Sequence, residues 1–232
     1  MQQASSEDPG AVDLLYYVGE AYRLLGKYKD AFDTFKQVIE MNANFAPGYL
    51  GRARAQQMLD PKKDIGPDLD KAIESDPAYA DAFLERAAYR LVKKNPEGAL
   101  NDLQVVESLR PDHPLLYVLR AQAYLQLGEN TQALENAQRG LELDRTLLPA
   151  YLTVAQAYMV NGNYAEALKN ARIYTLYEKK NTDAWLILGM ALYFEGKDYN
   201  TALNALNEAL DLNKKLTEGY HYRGLTYLAL ED

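Results

Sequence analysis

The stretch PAYLTVAQAYMVNGNYAEALKNA, from Pro149 to Ala171, reads as two short helices broken at Asn161-Gly162-Asn163. Tyr151, Val154, Ala155 and Tyr158 share one face of the first helix, and Ala167, Leu168 and Ala171 share one face of the second. The stretch is one copy of a repeat. Small residues in the slot of Ala155 stand at Gly19, Ala53, Ala87, Ala121 and Gly189, in steps of 34, and at Gly224 after a step of 35.

Four residues before each small position comes an aromatic: Tyr49, Phe83, Tyr117, Tyr151, Trp185 and Tyr220, with Leu15 in the first copy. Twelve residues after it a small or apolar residue opens the next helix, at Ala31, Ile65, Ala99, Ala133, Ala167 and, allowing for one extra residue near Gly196, Ala202. A small residue lets two helices approach closely, and an aromatic four residues away lies on the same face to fill the gap beside it. In this skeleton the chain resembles the tetratricopeptide repeat family, whose period is also 34 residues. The copies at Val12–Phe35 and Trp185–Leu192 (WLILGMAL) carry the likeness best, and it extends over residues 12–232.

The resemblance implies an all-α fold, a right-handed α-solenoid of stacked antiparallel helix pairs forming a superhelix. Thirteen helices are expected. Residues 1–10 read as an aperiodic tail ended by Pro9-Gly10. Residues 11–232 read as one array with repeats near 12–45, 46–79, 80–113, 114–147, 148–181 and 182–216, and a terminal helix at 217–231 that no second helix follows.

Local departures from the repeat carry further expectations. Pro61 stops a helix after Asp60, and Gly66-Pro67 delays the next, which lengthens the turn of repeat two into either a partner-facing loop or a drifted rim turn. Asn95-Pro96 reads as a cap followed by proline in the first turn. Gly140 inside a helix predicts close packing, since glycine there costs about 1 kcal/mol against alanine. Tyr174, in the corresponding slot of repeat five, predicts a local change of stacking. Trp185 occupies the slot of Tyr117 and Tyr151 and reads as core packing. Arg52, Arg86, Arg120 and Arg223 each precede the small position; they are expected to pair with acids of the preceding helix, Arg52 with Glu40 and Arg86 with Glu74. The alternative is a row of arginines reading an acidic partner.

Acidic residues outnumber basic ones 33 to 25, giving a net charge of −8, which argues against nucleic acid as partner because phosphate neutralisation needs a cationic surface. Apolar runs are too short to cross a bilayer, so no membrane insertion is expected. The opening MQQASSEDPG lacks the basic start and apolar core of an export signal, which points to the cytoplasm, with a mature domain of an exported protein as the alternative. The chain has no cysteine, and His113 and His221 are far apart in the repeat order without ligands at metal spacing. No nucleophile, phosphate-loop or metal motif occurs. The reading is therefore not an enzyme, with no catalytic residue, no cofactor and no metal.

The family resemblance places the residue three before the small position, and the residue one after it, on a concave groove lined by the first helices. Here the pairs are Leu50 with Arg54, Leu84 with Ala88, Val118 with Gln122, Leu152 with Gln156, and Leu186 with Met190; Met159, Tyr193 and Phe194 widen the apolar strip towards the C-terminus. Tyr16 with Glu20, Leu50 with Arg54 and Leu84 with Ala88 stand where some family members carry a Lys and Asn clamp for acidic C-terminal peptides, so that clamp is absent. The leading expectation is a non-catalytic scaffold that binds an apolar or amphipathic peptide or helix of another protein. The alternatives are a structural or assembly module that self-associates through the C-terminal helix, and an interaction domain of a larger protein or enzyme.

Overall fold

The computed structural model describes residues 9–231. They form thirteen α-helices: α1 (Pro9–Leu24), α2 (Tyr28–Met41), α3 (Ala46–Leu59), α4 (Gly66–Ser75), α5 (Ala80–Val92), α6 (Pro96–Leu109), α7 (Pro114–Leu127), α8 (Asn130–Leu143), α9 (Leu148–Val160), α10 (Tyr164–Tyr177), α11 (Thr182–Glu195), α12 (Tyr199–Leu212) and α13 (Thr217–Glu231). Pro9 and Gly10 open α1 instead of ending a tail, because proline is tolerated in a first turn where its missing N–H would have no partner. The remaining tail, residues 1–8, lies outside the described residues.

The helices group into two compact units, α1–α6 up to Pro111 and α7–α13 from Asp112. Within each unit successive helices pack as antiparallel pairs, and each pair stacks on the next. In the C-terminal unit the first helices α7, α9, α11 and α13 also touch in sequence.

The small positions set the spacing. A Cβ on Gly19 would lie 2.7 Å from the ring of Phe35, and one on Gly51 would lie 2.5 Å from it, so the fully buried Phe35 of α2 is clasped between α1 and α3. Gly140 meets Val118 in the same way, with a would-be Cβ 2.8 Å from Cγ2, which is the close packing its sequence predicts. The seventh copy differs: Gly224 is exposed and faces nothing within 4 Å, since no second helix covers it among the described residues.

The repeated aromatic does more than fill space. The Tyr49, Tyr151 and Tyr220 hydroxyls donate to the carbonyls of Ala43, Arg145 and Lys214, and the Trp185 indole donates to that of Lys179, at 2.8 to 3.3 Å and always six residues back. Each bond straps the incoming turn to the helix that follows. Turns between repeats are closed by Asx bonds in which Asn42, Asp76, Asp144 and Asn213 accept from the backbone N–H two residues on. Inside repeats, Gly162 adopts φ +74 at the break between α9 and α10, a left-handed turn that favours glycine.

The long turn of repeat two is tied down. Asp64 accepts from the Gly66 backbone N–H at 2.9 Å and from the Tyr89 hydroxyl of α5 at 2.6 Å.

The arginine row requires a correction. Arg52 forks onto Asp68 of α4, not Glu40, and Arg86 forks onto Asp102 of α6 and also reaches Asp70, not Glu74. The slot before the small residue faces the helix that follows in the same repeat, and Arg86 reaches back as well, to an acid of the preceding helix α4 as expected but one turn before Glu74; Glu40 and Glu74 themselves are taken by Lys36 and Lys71 one turn away on their own helices. Each arginine also lies over the aromatic three residues earlier, Arg52 on Tyr49 at 5.7 Å and Arg223 on Tyr220 at 5.1 Å.

Candidate partner-binding faces

In the N-terminal unit the sequence points to Leu50, Arg54, Leu84 and Ala88. Leu50 and Leu84 are buried, 1% and 5% exposed, and Ala88 is half-buried. What reaches solvent above them is charged: Arg54 of α3 pairs with Glu85 of α5 at 2.7 Å, and Arg23 pairs with Glu20 on α1 at 2.7 Å. The hydrogen bond to Glu20 holds Arg23 more firmly protonated, and the Glu85 carboxylate is close enough to add to this. Two phenols flank the pairs. Burial first, then the neighbouring Glu20 carboxylate, pushes Tyr16 up; burial pushes Tyr79 up to about 12. This face offers a balanced set of fixed ion pairs, and its arginines are already engaged.

The C-terminal unit presents a different surface. Val118 and Leu186 are buried, at 0% and 7% exposure, while Leu152 is half-buried. These residues support the face and do not form most of it. The half-buried layer above them is Gln122, Gln156, Met159, Met190 and Tyr193, with Phe194 exposed. Gln122 donates to the Thr153 hydroxyl at 3.1 Å, which fixes its amide. Leu152 and Met159 pack on the core beneath α11, and Met190 packs on the neighbouring cluster with Tyr222.

Tyr193 and Phe194 are joined by aromatics that the repeat phase did not single out: Tyr164 of α10, Tyr199 of α12 and Tyr222 of α13. Tyr164 and Tyr199 both occupy the first position of a second helix, as Tyr28 does, and that shared slot is the signal in the sequence that points to them. Burial first, then the Glu218 carboxylate, raises the Tyr222 phenol.

In the same unit, α8, α9 and α10 frame an open cleft of about 470 Å³ with a mixed lining, apolar at Leu141, Val154 and Ile173 and charged at Glu142, Arg145 and Lys169. The Tyr158 hydroxyl there accepts from Gln138 at 2.7 Å. No group of His, Asp and Glu among the described residues is arranged to hold a metal ion. No helix of the described residues is long and apolar enough to cross a membrane.

Three tetratricopeptide repeat models match the chain, at residues 13–44, 115–147 and 152–217. Among curated proteins it is similar to mitochondrial import receptor subunit TOM70 of Rattus norvegicus, 31% identical over 93 residues, which is 38% of this chain and 15% of that protein. The chain thus spans a small part of the relative's length. Among solved structures it resembles the Cut9–Hcn1 hetero-tetramer of APC/C, with a TM-score of 0.82, 16% identity, and coverage of 93% of this chain and 42% of that one. It also resembles PilF of Pseudomonas aeruginosa, with a TM-score of 0.75, 19% identity, and coverage of 93% and 97%. At these identities the structural likenesses speak for the fold.

Proposed function

Since this chain belongs to the tetratricopeptide repeat family, we propose that it is a non-catalytic scaffold for protein–protein interaction, and that the first-helix face of the C-terminal unit takes an apolar or amphipathic segment of another protein. The observation that carries this reading is the contrast between the two faces. Arg54 and Glu85 satisfy each other across the N-terminal face, whereas Gln156, Met159, Met190 and Phe194 put amide, thioether and ring surface at the solvent boundary without a charged group among them. Thioethers adapt to varied apolar shapes, and a solvent-facing apolar strip is best explained by an occupant.

The test is selection of a random displayed peptide library on the full chain, followed by capture with Met159→Glu and Met190→Glu combined. Both side chains are half-buried on the face, so the exchange charges the strip without opening the fully buried layer below it. Enriched peptides should be apolar or amphipathic and should no longer bind the double variant, whose helical circular dichroism stays at the parent's level. Undiminished capture would place the site elsewhere.

A second reading is favoured by α13. Tyr220, Tyr227 and Leu228 are 46%, 50% and 62% exposed around the open Gly224, an apolar helix face with a notch in it. Self-association of two copies through this face would cover it. Sedimentation equilibrium of the parent against Leu228→Glu tests it: a parent that is monomeric at every concentration removes this reading.

A further inference from the structure

The end of α11 is built as an aromatic wall. Tyr164 stacks on Phe194 with ring centroids 4.6 Å apart and planes 14° from parallel. Phe194 and Tyr193 each meet Tyr222 edge to face, at 5.7 and 5.9 Å, and Tyr199 adjoins Tyr193 at 6.2 Å. The rings spend edges and faces on one another, so they make a continuous surface instead of a cage around a point. Phe194 remains 40% exposed, which keeps that surface wet.

The hydroxyls sharpen the picture. Tyr49, Tyr151 and Tyr220 donate theirs to carbonyls within the chain. Those of Tyr164, Tyr193, Tyr199 and Tyr222 have no hydrogen-bond partner among the described residues. Phenol O–H groups beside apolar rings call for a ligand rich in carbonyl acceptors. The charge that acts on Tyr222 is the Glu218 carboxylate, which disfavours an acidic ligand.

An α-helix keeps its carbonyls in its own hydrogen bonds and would leave these hydroxyls unanswered. A polyproline II segment does the reverse: its carbonyls have no internal partner, proline brings no N–H that needs an acceptor, its rings lie flat on aromatic surface, and its stiffness leaves little entropy to lose. We propose that this wall docks a proline-rich segment in the polyproline II conformation, its rings against Phe194 and Tyr222 and its carbonyls accepting from the tyrosine hydroxyls. The proposal rests on the reading that the first-helix face of the C-terminal unit takes a protein segment, and it narrows the class of that segment.

Fluorescence anisotropy of a labelled oligoproline peptide, titrated with the full chain, tests it beside an equally long labelled amphipathic helix. The oligoproline is expected to bind. Tyr193→Phe with Tyr222→Phe, which removes two hydroxyls and keeps the rings, should weaken that binding about fivefold, and Phe194→Ser should weaken it roughly tenfold or more. The hydroxyl pair should leave the melting temperature at the parent's value. Binding of the helix without the oligoproline would overturn the inference and leave the scaffold reading in place. Binding of neither peptide overturns the inference, and the library selection then decides the scaffold reading by itself. Oligoproline binding that ignores both sets of substitutions overturns the assignment to this wall.

Discussion

Arg86 of α5 grips Asp102 of α6 by two bonds, 3.1 Å from Nε and 2.7 Å from Nη2, and Arg90 reaches the same carboxylate at 2.8 Å. Asp102 is only 2% exposed, so one carboxylate held out of water is answered by two guanidinium groups. Removing it leaves Arg86 with only the exposed Asp70 carboxylate and Arg90 with only the Gly98 carbonyl, and breaking a buried pair from one side costs more than the pair contributes. Asp102→Ala should therefore destabilise the chain by about 3 kcal/mol in urea unfolding. Glu74→Ala, which removes the exposed partner of Lys71, should cost at most about 0.5 kcal/mol. Equal effects would show that the buried fork has no special weight.

Two glycines in equivalent slots should respond with opposite sign. A Cβ on Gly189 would lie 2.6 Å from Cγ of the fully buried Leu206 and 3.2 Å from its backbone N, so Gly189→Ala must push α11 and α12 apart. The overpacking should outweigh the helix-propensity gain and leave the variant about 2 kcal/mol less stable. Gly224→Ala meets nothing within 4 Å, so only the propensity gain of about 1 kcal/mol remains. Melting curves of the two variants check the signs; a stabilising Gly189→Ala would contradict the close approach.

The alkaline limit of stability is set in part by Tyr79. Its phenol ordinarily titrates near 10 and is pushed up to about 12 in the folded chain by burial, then by Tyr16 and Asp81. Between those values the unfolded chain has released the proton and the folded chain still holds it, so unfolding becomes easier as pH rises. This contribution is complete below pH 10 and lost by about pH 12. Tyr79→Phe has no such proton, so its stability should fall less steeply with pH across that window. Parallel slopes for parent and variant in urea titrations would contradict the assignment.

The helices were legible in the sequence because each repeat states the same pattern of small residue, aromatic and second small residue. Pro61, Gly66-Pro67 and Asn95-Pro96 then mark where α3 ends and where α4 and α6 begin, with Asn95 accepting from the Gly98 backbone N–H at 2.9 Å. Depth was less legible. Periodicity gives the phase of a residue around its own helix, but Leu50, Leu84, Val118 and Leu186 are buried because side chains of neighbouring helices close over that phase. The forked arginine pairs escaped for a related reason: Asp68 and Asp102 lie sixteen residues ahead of Arg52 and Arg86, and only the register of the following helix brings them into reach, while the second partner of Arg86, Asp70, does lie on the preceding helix. The aromatic wall draws on the starts of α10 and α12, the end of α11 and the middle of α13, four different places in the repeat that no single periodicity joins.

The central claim is that the first-helix face of the C-terminal unit is the surface that holds a partner. It is tested most directly by amide and methyl chemical-shift mapping of the full chain as a library-selected peptide is titrated in. The account predicts that the perturbed signals belong to Gln156, Met159, Met190, Tyr193, Phe194 and Tyr222. Perturbations confined to the cleft framed by α8, α9 and α10, at Leu141, Tyr158 and Ile173, or to the open face of α13, at Tyr227 and Leu228, would contradict it.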